Sequence, residues 1–287
     1  MNKLHPEKIA TLALQSLLAE LSATPKPGLI DRNNSGAHQD MDFFMMQKSA
    51  SVLAFYFLQF AEIGRKFHGN AADLFTAVRD KGKIAEDAMF KATSGINTHK
   101  GALFSFGIIC AAAGYLSNHQ YSQVQYKDIC DFIREMTEGI CRNELVQMKL
   151  TGALTHGEAV YLKYQVPGIR GEVENGFPHV RNFAYPILAQ LLKEGRYSMD
   201  TVFSHTLLYL MANVVDTNVL YRHQMETVTY VQQSAQSVLQ KGGCLTDTGL
   251  QAVYELDQDF IKKGISPGGC ADLLAVTYFL YSLENCR

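Results

Sequence analysis

Apolar residues recur at helical spacing along almost the whole chain, and alternating patterns long enough to make a strand are scarce. From Pro6 to Leu21, the residues Ile9, Leu12, Ala13, Leu17, Leu18 and Leu21 share one face, and Pro6 suits a first helical turn. Further helices are predicted at about 70–80, 83–92, 102–116, 127–140, 155–164, 182–194, 199–215, 223–240, 248–262 and 268–283. Between Asp40 and about Ile63 polar residues are too sparse to define a solvated face, which predicts a buried central helix. At its start, Phe43, Phe44, Met45 and Met46 read as core. Ser266-Pro267 pairs a capping residue with proline at a first helical position and marks the start of the last helix. The expected fold is all-α, one multi-helix domain over residues 1–287 with a polar cleft formed by its inter-helix loops.

With 47% apolar and 19% charged residues, such a chain can bury a large core without covalent staples. The net charge of -2 and the lack of a lysine or arginine run speak against a nucleic acid or a membrane surface as partner. Six scattered cysteines, with no CxxC pair and no zinc-type spacing, fit a reduced, cytoplasmic setting. The opening MNKLHPEKIA has no apolar signal region, and no uninterrupted apolar run reaches the roughly 18 to 20 residues of a membrane span.

The polar residues are concentrated in five glycine-bearing segments at breaks between apolar helices: residues 24–42, 95–101, 168–178, 216–222 and 266–272. One such segment alone is an ordinary way to join helices, but loops on a rigid scaffold are also where binding chemistry sits. Together they hold Lys26, Arg32, Lys100, Arg170 and Arg222, cations suited to a polyphosphate. They also hold Asp31, Asp40, Asp42, Glu172, Glu174, Asp216 and Asp272, hard oxygen ligands of the kind magnesium takes beside substrate phosphates. There is no GxxxxGK[ST] loop, no GxGxxG after a strand, no HExxH and no GxSxG, which disfavours P-loop, Rossmann, zinc-protease and serine-hydrolase readings.

The blocks TPKPGLIDRNNSGAHQDMDF, GINTHKGALFSFGIICAA, GIRGEVENGFP, DTNVLYR and SPGGCADLLA resemble, in content and order, the signature blocks of the triphosphoribosyl-dephospho-coenzyme A synthase family. They span residues 24 to 275. Cys270, where members often carry a small residue, and the stretch Leu154-Thr-His-Gly-Glu158 are the departures. The resemblance implies an all-helical enzyme that moves the triphosphoribosyl part of ATP onto the 2'-hydroxyl of 3'-dephospho-coenzyme A and releases adenine. The product is the precursor of the prosthetic group of the citrate lyase acyl carrier subunit, with malonate decarboxylase as the other client. The chain has no room for a fused transferase, so a separate enzyme is expected to attach the product to the carrier.

Glycosyl transfer of this kind needs a stabilised oxocarbenium-like centre, an activated hydroxyl and a relieved leaving base. The expected catalytic residues are Glu172 or Asp42 near the ribose, and His99 or a second carboxylate as base. Lys26, Arg32, Lys100, Arg170 and Arg222 are expected around phosphates, joined by the amides of Gly268 and Gly269 at a helix N-terminus. Asp31, Asp40, Glu174, Asp216 and Asp272 are expected to serve magnesium. Plainer readings stand beside these: His99, Gly268 and Gly269 as capping residues, Asp40 and Asp42 as helix starters, His68, His119 and His205 as surface or packing residues. A magnesium-dependent hydrolase of nucleotides or ADP-ribosyl groups is the alternative enzyme. A non-catalytic scaffold is disfavoured, because it would place its charge on outer helix faces.

Overall fold

The computed structural model describes residues 4–119, 124–147 and 154–286, and among these there is no strand. The helices are α1 (Pro6–Ser22), α2 (Phe43–Lys66), α3 (Ala71–Ala92), α4 (Lys100–His119), α5 (Tyr126–Met136), α6 (His156–Tyr164) and α7 (Ile169–Glu174). They continue as α8 (Tyr185–Glu194), α9 (Met199–Asn213), α10 (Thr217–Arg222), α11 (Met225–Gln240), α12 (Asp247–Lys263) and α13 (Gly268–Asn285).

The central helix is α4, not the Asp40–Ile63 segment. Helix α4 packs against α1, α2, α3, α5 and α13. It is long and apolar enough to cross a bilayer, yet 78% of its most apolar stretch is buried inside the protein, which makes it the core helix. Helix α2 is one-sided: Ala50, Leu53, Phe57, Phe60 and Ala61 are buried, while Phe44 and Phe55 are 74% and 63% exposed. Of the Phe43–Met46 stripe, Phe43, Met45 and Met46 pack partly against a small apolar cluster of Leu21, Ile30 and Met41, and Phe44 points outward.

The two short helices expected at 70–80 and 83–92 are one helix. Leu74, Val78, Ala85 and Met89 keep a single buried face through Gly82, and Gly82 itself faces open space. A glycine there costs about 1 kcal/mol relative to alanine, too little to stop a helix whose face is buried on both sides of it. Asn70 caps its start by accepting from the Asp73 amide. A π-helical turn, Val180–Ala184, leads into α8, and two of the polar segments contain short helices, α7 and α10. The start of α13 also differs from expectation. The helix begins at Gly268 with Pro267 in the cap position, and the Ser266 hydroxyl pairs with His38 Nε2 at 2.8 Å instead of capping.

Candidate active site

All five polar segments contribute to one cavity of about 1260 Å³, the first with part of its length. Its wall is built by the Lys26–Met41 loop, one face of α3, the N-terminal ends of α4, α6 and α13, and helices α7 and α10. A pocket for one drug-sized ligand is about 300–1,000 Å³, so this one has room for more than a single such ligand.

Cations ring it, most of them paired with carboxylates. Arg79 and Arg170 both grip Glu144, with Arg170 Nε 2.8 Å from its Oε2, and Arg170 Nη2 lies 3.8 Å from Glu158. Lys100 Nζ sits 2.6 Å from Glu86. Arg222, at the end of α10, is exposed and lines the cavity. Burial first, then the Arg222 charge, lowers the pKa of both His38 and His156, and the His156 ring stacks on Tyr221 at 3.7 Å. The guanidinium forks of Arg79 and Arg170 are thus already held in place by carboxylates, a geometry suited to oxyanions.

The deep wall is acidic. Lys26 is only 1% exposed, and its ammonium group donates to the Glu20 carboxylate and, at 2.7 Å, to the Glu20 carbonyl. Its charge is thus committed to Glu20, whose own pKa is raised by burial against the lowering effect of Lys26. Burial, then the neighbouring Glu20 and Asp216 carboxylates, pushes Asp272 well above the usual carboxylate range. Asp216 is also raised by burial, although it accepts from the amides of Asn218 (2.8 Å), Val219 (3.2 Å) and Cys270 (2.8 Å). Those bonds cap α10 and tie it to α13.

Glu172 differs from these. It is 8% exposed on α7, its Oε1 is bonded to His179 Nδ1, and its Oε2 is buried with no partner among the described residues. The bond to Glu172 is the largest influence on His179 and raises its pKa, burial opposing. A raised imidazole pKa favours folding while the ring is charged. The pair's contribution to stability should therefore be complete below about pH 6.5 and fade as pH climbs through the raised value. Urea unfolding of the wild type and His179→Gln should give a stability gap at about pH 6 that narrows at about pH 9. A gap that widens with pH contradicts the pairing.

Other residues singled out in the sequence have local roles away from the cavity. Asp31 accepts from the amides of Lys26 (3.1 Å), Asn33 (2.7 Å) and Asn34 (3.1 Å), which shapes its own loop. Arg32 is exposed and pairs with Asp200. Glu174 accepts from the Cys141 amide at 3.4 Å. Asp42 caps α2 by accepting from the Met45 amide at 2.8 Å. Asp40 does reach the cavity rim, 59% exposed and 3.5 Å from His38 Nδ1, and Gly268 and Gly269 line its wall. The amides flanking Gly269 are occupied, that of Gly268 by the Ser266 carbonyl and that of Cys270 by Asp216. We expect Asp42→Ala to cost about 1 kcal/mol of stability, as for other lost caps, and to leave turnover within about twofold. A large fall in turnover with unchanged melting would return Asp42 to the chemistry.

Several wall residues lie outside the sequence segments. Glu20 sits on the buried face of α1 with Ser16 and Leu17, and a carboxylate on an apolar stripe was its available signal. Arg79, Lys83 and Glu86 form a stripe on α3 that reads in sequence as a solvated face. Glu144 lies in a stretch with no motif at all.

Residues 6–287 match the family described as ATP:dephospho-CoA triphosphoribosyl transferase. The chain belongs to this family. It is 40% identical over 279 residues to a probable 2-(5''-triphosphoribosyl)-3'-dephosphocoenzyme-A synthase of Vibrio cholerae serotype O1, covering 97% of this chain and 88% of the relative. The synthase of that name from Klebsiella pneumoniae is 39% identical over 281 residues, with 96% and 91% covered. A probable synthase from Malonomonas rubra is 38% identical over 280 residues, with 97% and 88% covered. No solved structure matches significantly. In this triphosphoribosyl transferase chain, GINTHKG brings His99 and Lys100 to the cavity, GIRGEVENGFP brings Arg170 and Glu172, and SPGGCAD brings Asp272.

Proposed function

We propose that this enzyme transfers the 5-triphosphoribosyl group of ATP to the 2'-hydroxyl of 3'-dephospho-coenzyme A, releasing adenine. The observation that carries the reading is a cavity large enough for two substrates, with guanidinium and ammonium groups around it and a lining carboxylate, Glu172, whose buried Oε2 has no partner among the described residues. Arg79, Lys83, Lys100, Arg170 and Arg222 hold the phosphates. The open Glu172 oxygen faces the charge that develops at C1' of the ribose or takes the acceptor proton, while His179 holds its other oxygen still.

Among the described residues no three His, Cys, Asp or Glu side chains converge into a metal cage. Magnesium would enter with ATP, held by phosphate oxygens and keeping several of its waters, and a rim carboxylate such as Asp40 would add a ligand. When bound, it supplies charge neutralisation on the triphosphate. The product passes to a separate transferase acting on the carrier subunit of citrate lyase or malonate decarboxylase, in a cytoplasmic setting.

The test is to mix the purified protein with ATP, magnesium and 3'-dephospho-coenzyme A and follow adenine and the condensed product by chromatography with mass detection. Both should appear in equal amounts and each should need both substrates. Adenine release without the acceptor would point to a hydrolase instead.

A further inference from the structure

His99 lies just before α4, 3% exposed, and its two ring nitrogens meet different surroundings. Nδ1 is 2.9 Å from Ser49 Oγ, and the Thr98 hydroxyl donates to that same oxygen at 2.7 Å. With its oxygen receiving the Thr98 proton, Ser49 has its own proton for Nδ1. A neutral imidazole that accepts at Nδ1 carries its hydrogen on Nε2. That Nε2 is buried with no partner among the described residues, and His99 lines the cavity. Burial, then the Lys26 charge, lowers the His99 pKa to about 4, which keeps the ring neutral. A buried N–H without an acceptor is costly, so a ligand atom that accepts is the expected complement.

The surroundings say what kind of ligand. Leu21, Ile30 and Met41 form a separate apolar cluster, extended by Met46 and Ile96, and all five line the cavity. Ile96 belongs to the His99 loop. Met46 lies three residues before Ser49 on α2, hence on the same helix face. An apolar cluster and an N–H donor on the wall of the same cavity suit a flat heteroaromatic ring, whereas a phosphate needs the cations elsewhere on the wall.

Resting on the synthase reading, we propose that this part of the wall is the purine subsite. Leu21, Ile30, Met41, Met46 and Ile96 enclose the ring of ATP, His99 Nε2–H donates to a purine ring nitrogen, and Ser49 and Thr98 are positioning residues that set the His99 tautomer. In the transfer step the C1'–N9 bond breaks with its electron pair going to the purine, and a bond forms from the acceptor oxygen to C1'. The hydroxyl proton, relayed by a cavity carboxylate, replaces that bond so that adenine leaves neutral. Negative charge grows on the purine nitrogens as the bond breaks, so the same donor binds the base and stabilises its departure. His99 is then a donor, and the base is a carboxylate.

The test is a cycle of binding measurements by calorimetry, with ATP, 7-deaza-ATP and 3-deaza-ATP titrated into the wild type, His99→Ala and His99→Gln. The wild type should lose about tenfold in affinity for one deaza analogue. His99→Ala should show no further loss with that analogue, and His99→Gln, whose amide can donate in place of Nε2, should recover part of the discrimination. Nitrogen-15 NMR of histidine-labelled protein should find His99 protonated at Nε2, with that preference weakened in Ser49→Ala. Equal losses for both analogues in all three proteins, or an Nδ1-protonated or charged His99 at neutral pH, would overturn the proposal. If the wild type releases no adenine with 3'-dephospho-coenzyme A, the synthase reading fails; if it turns over and the cycle is flat, only the purine subsite fails.

Discussion

Glu172→Gln lowers turnover by about 10²- to 10⁴-fold, the range for loss of a group that moves a proton or meets developing charge. The substitution keeps the size of the side chain and leaves an oxygen able to accept from His179, so the fold is expected to survive. What it removes is the charge of a cavity-lining carboxylate whose buried Oε2 has no partner among the described residues. Steady-state adenine release measures the loss, with the melting temperature as control. Because the charge matters most in the transition state, kcat should fall more than KM rises. Turnover within threefold of wild type would move the chemistry to another acid, with Asp272 next in line.

Gly64→Ala should be the most damaging single change for folding, by about 3 kcal/mol or more, since overpacking at a backbone contact cannot be relieved by turning a side chain. A methyl group on Gly64 would overlap the Ala111 carbonyl, and one on Gly114 would overlap the Ala61 carbonyl. The two glycines therefore let α2 and α4 touch backbone to backbone on both sides of one crossing. Thermal unfolding reads the effect, and Gly114→Ala should reproduce it. Gly82→Ala is the control, because Gly82 faces open space on α3 and alanine there should stabilise by up to about 1 kcal/mol. Equal melting temperatures for all three variants would mean that α2 and α4 do not approach so closely.

The helices were legible because each carries its own periodic face. Those at Pro6–Ser22, His156–Tyr164 and Gly268–Asn285 begin or end within a few residues of where spacing puts them. Gly82 suggests a break within residues 70–92, although the buried face continues through it. The apolar content of α2 suggested burial all round, whereas Phe44 and Phe55 are outside and α4 takes the centre. Within the site, Lys100, Arg170, Glu172, Asp216 and Asp272 reach the cavity, while Asp31 shapes its own loop, Asp42 caps α2, Arg32 pairs with Asp200 and Glu174 accepts from the Cys141 amide.

The sequence by itself determined an all-helical chain, the order of five polar segments along it, and, through those segments, its family. Periodicity and loop composition are local properties, and local properties suffice for these. Only the tertiary structure decided which carboxylates face the cavity. Asp42 and Glu172 come from similar glycine-bearing segments, but the Met45 amide lies within reach of Asp42, while Glu172 has His179 on one oxygen and no partner among the described residues on the other. The tertiary structure likewise drew in Glu20, Arg79 and Glu144, none of which has a motif around it. A helical period states which way a side chain points from its own axis, not which neighbour waits there; that depends on how the helices cross, and the crossing of α2 and α4 rests on contacts between residues about fifty positions apart.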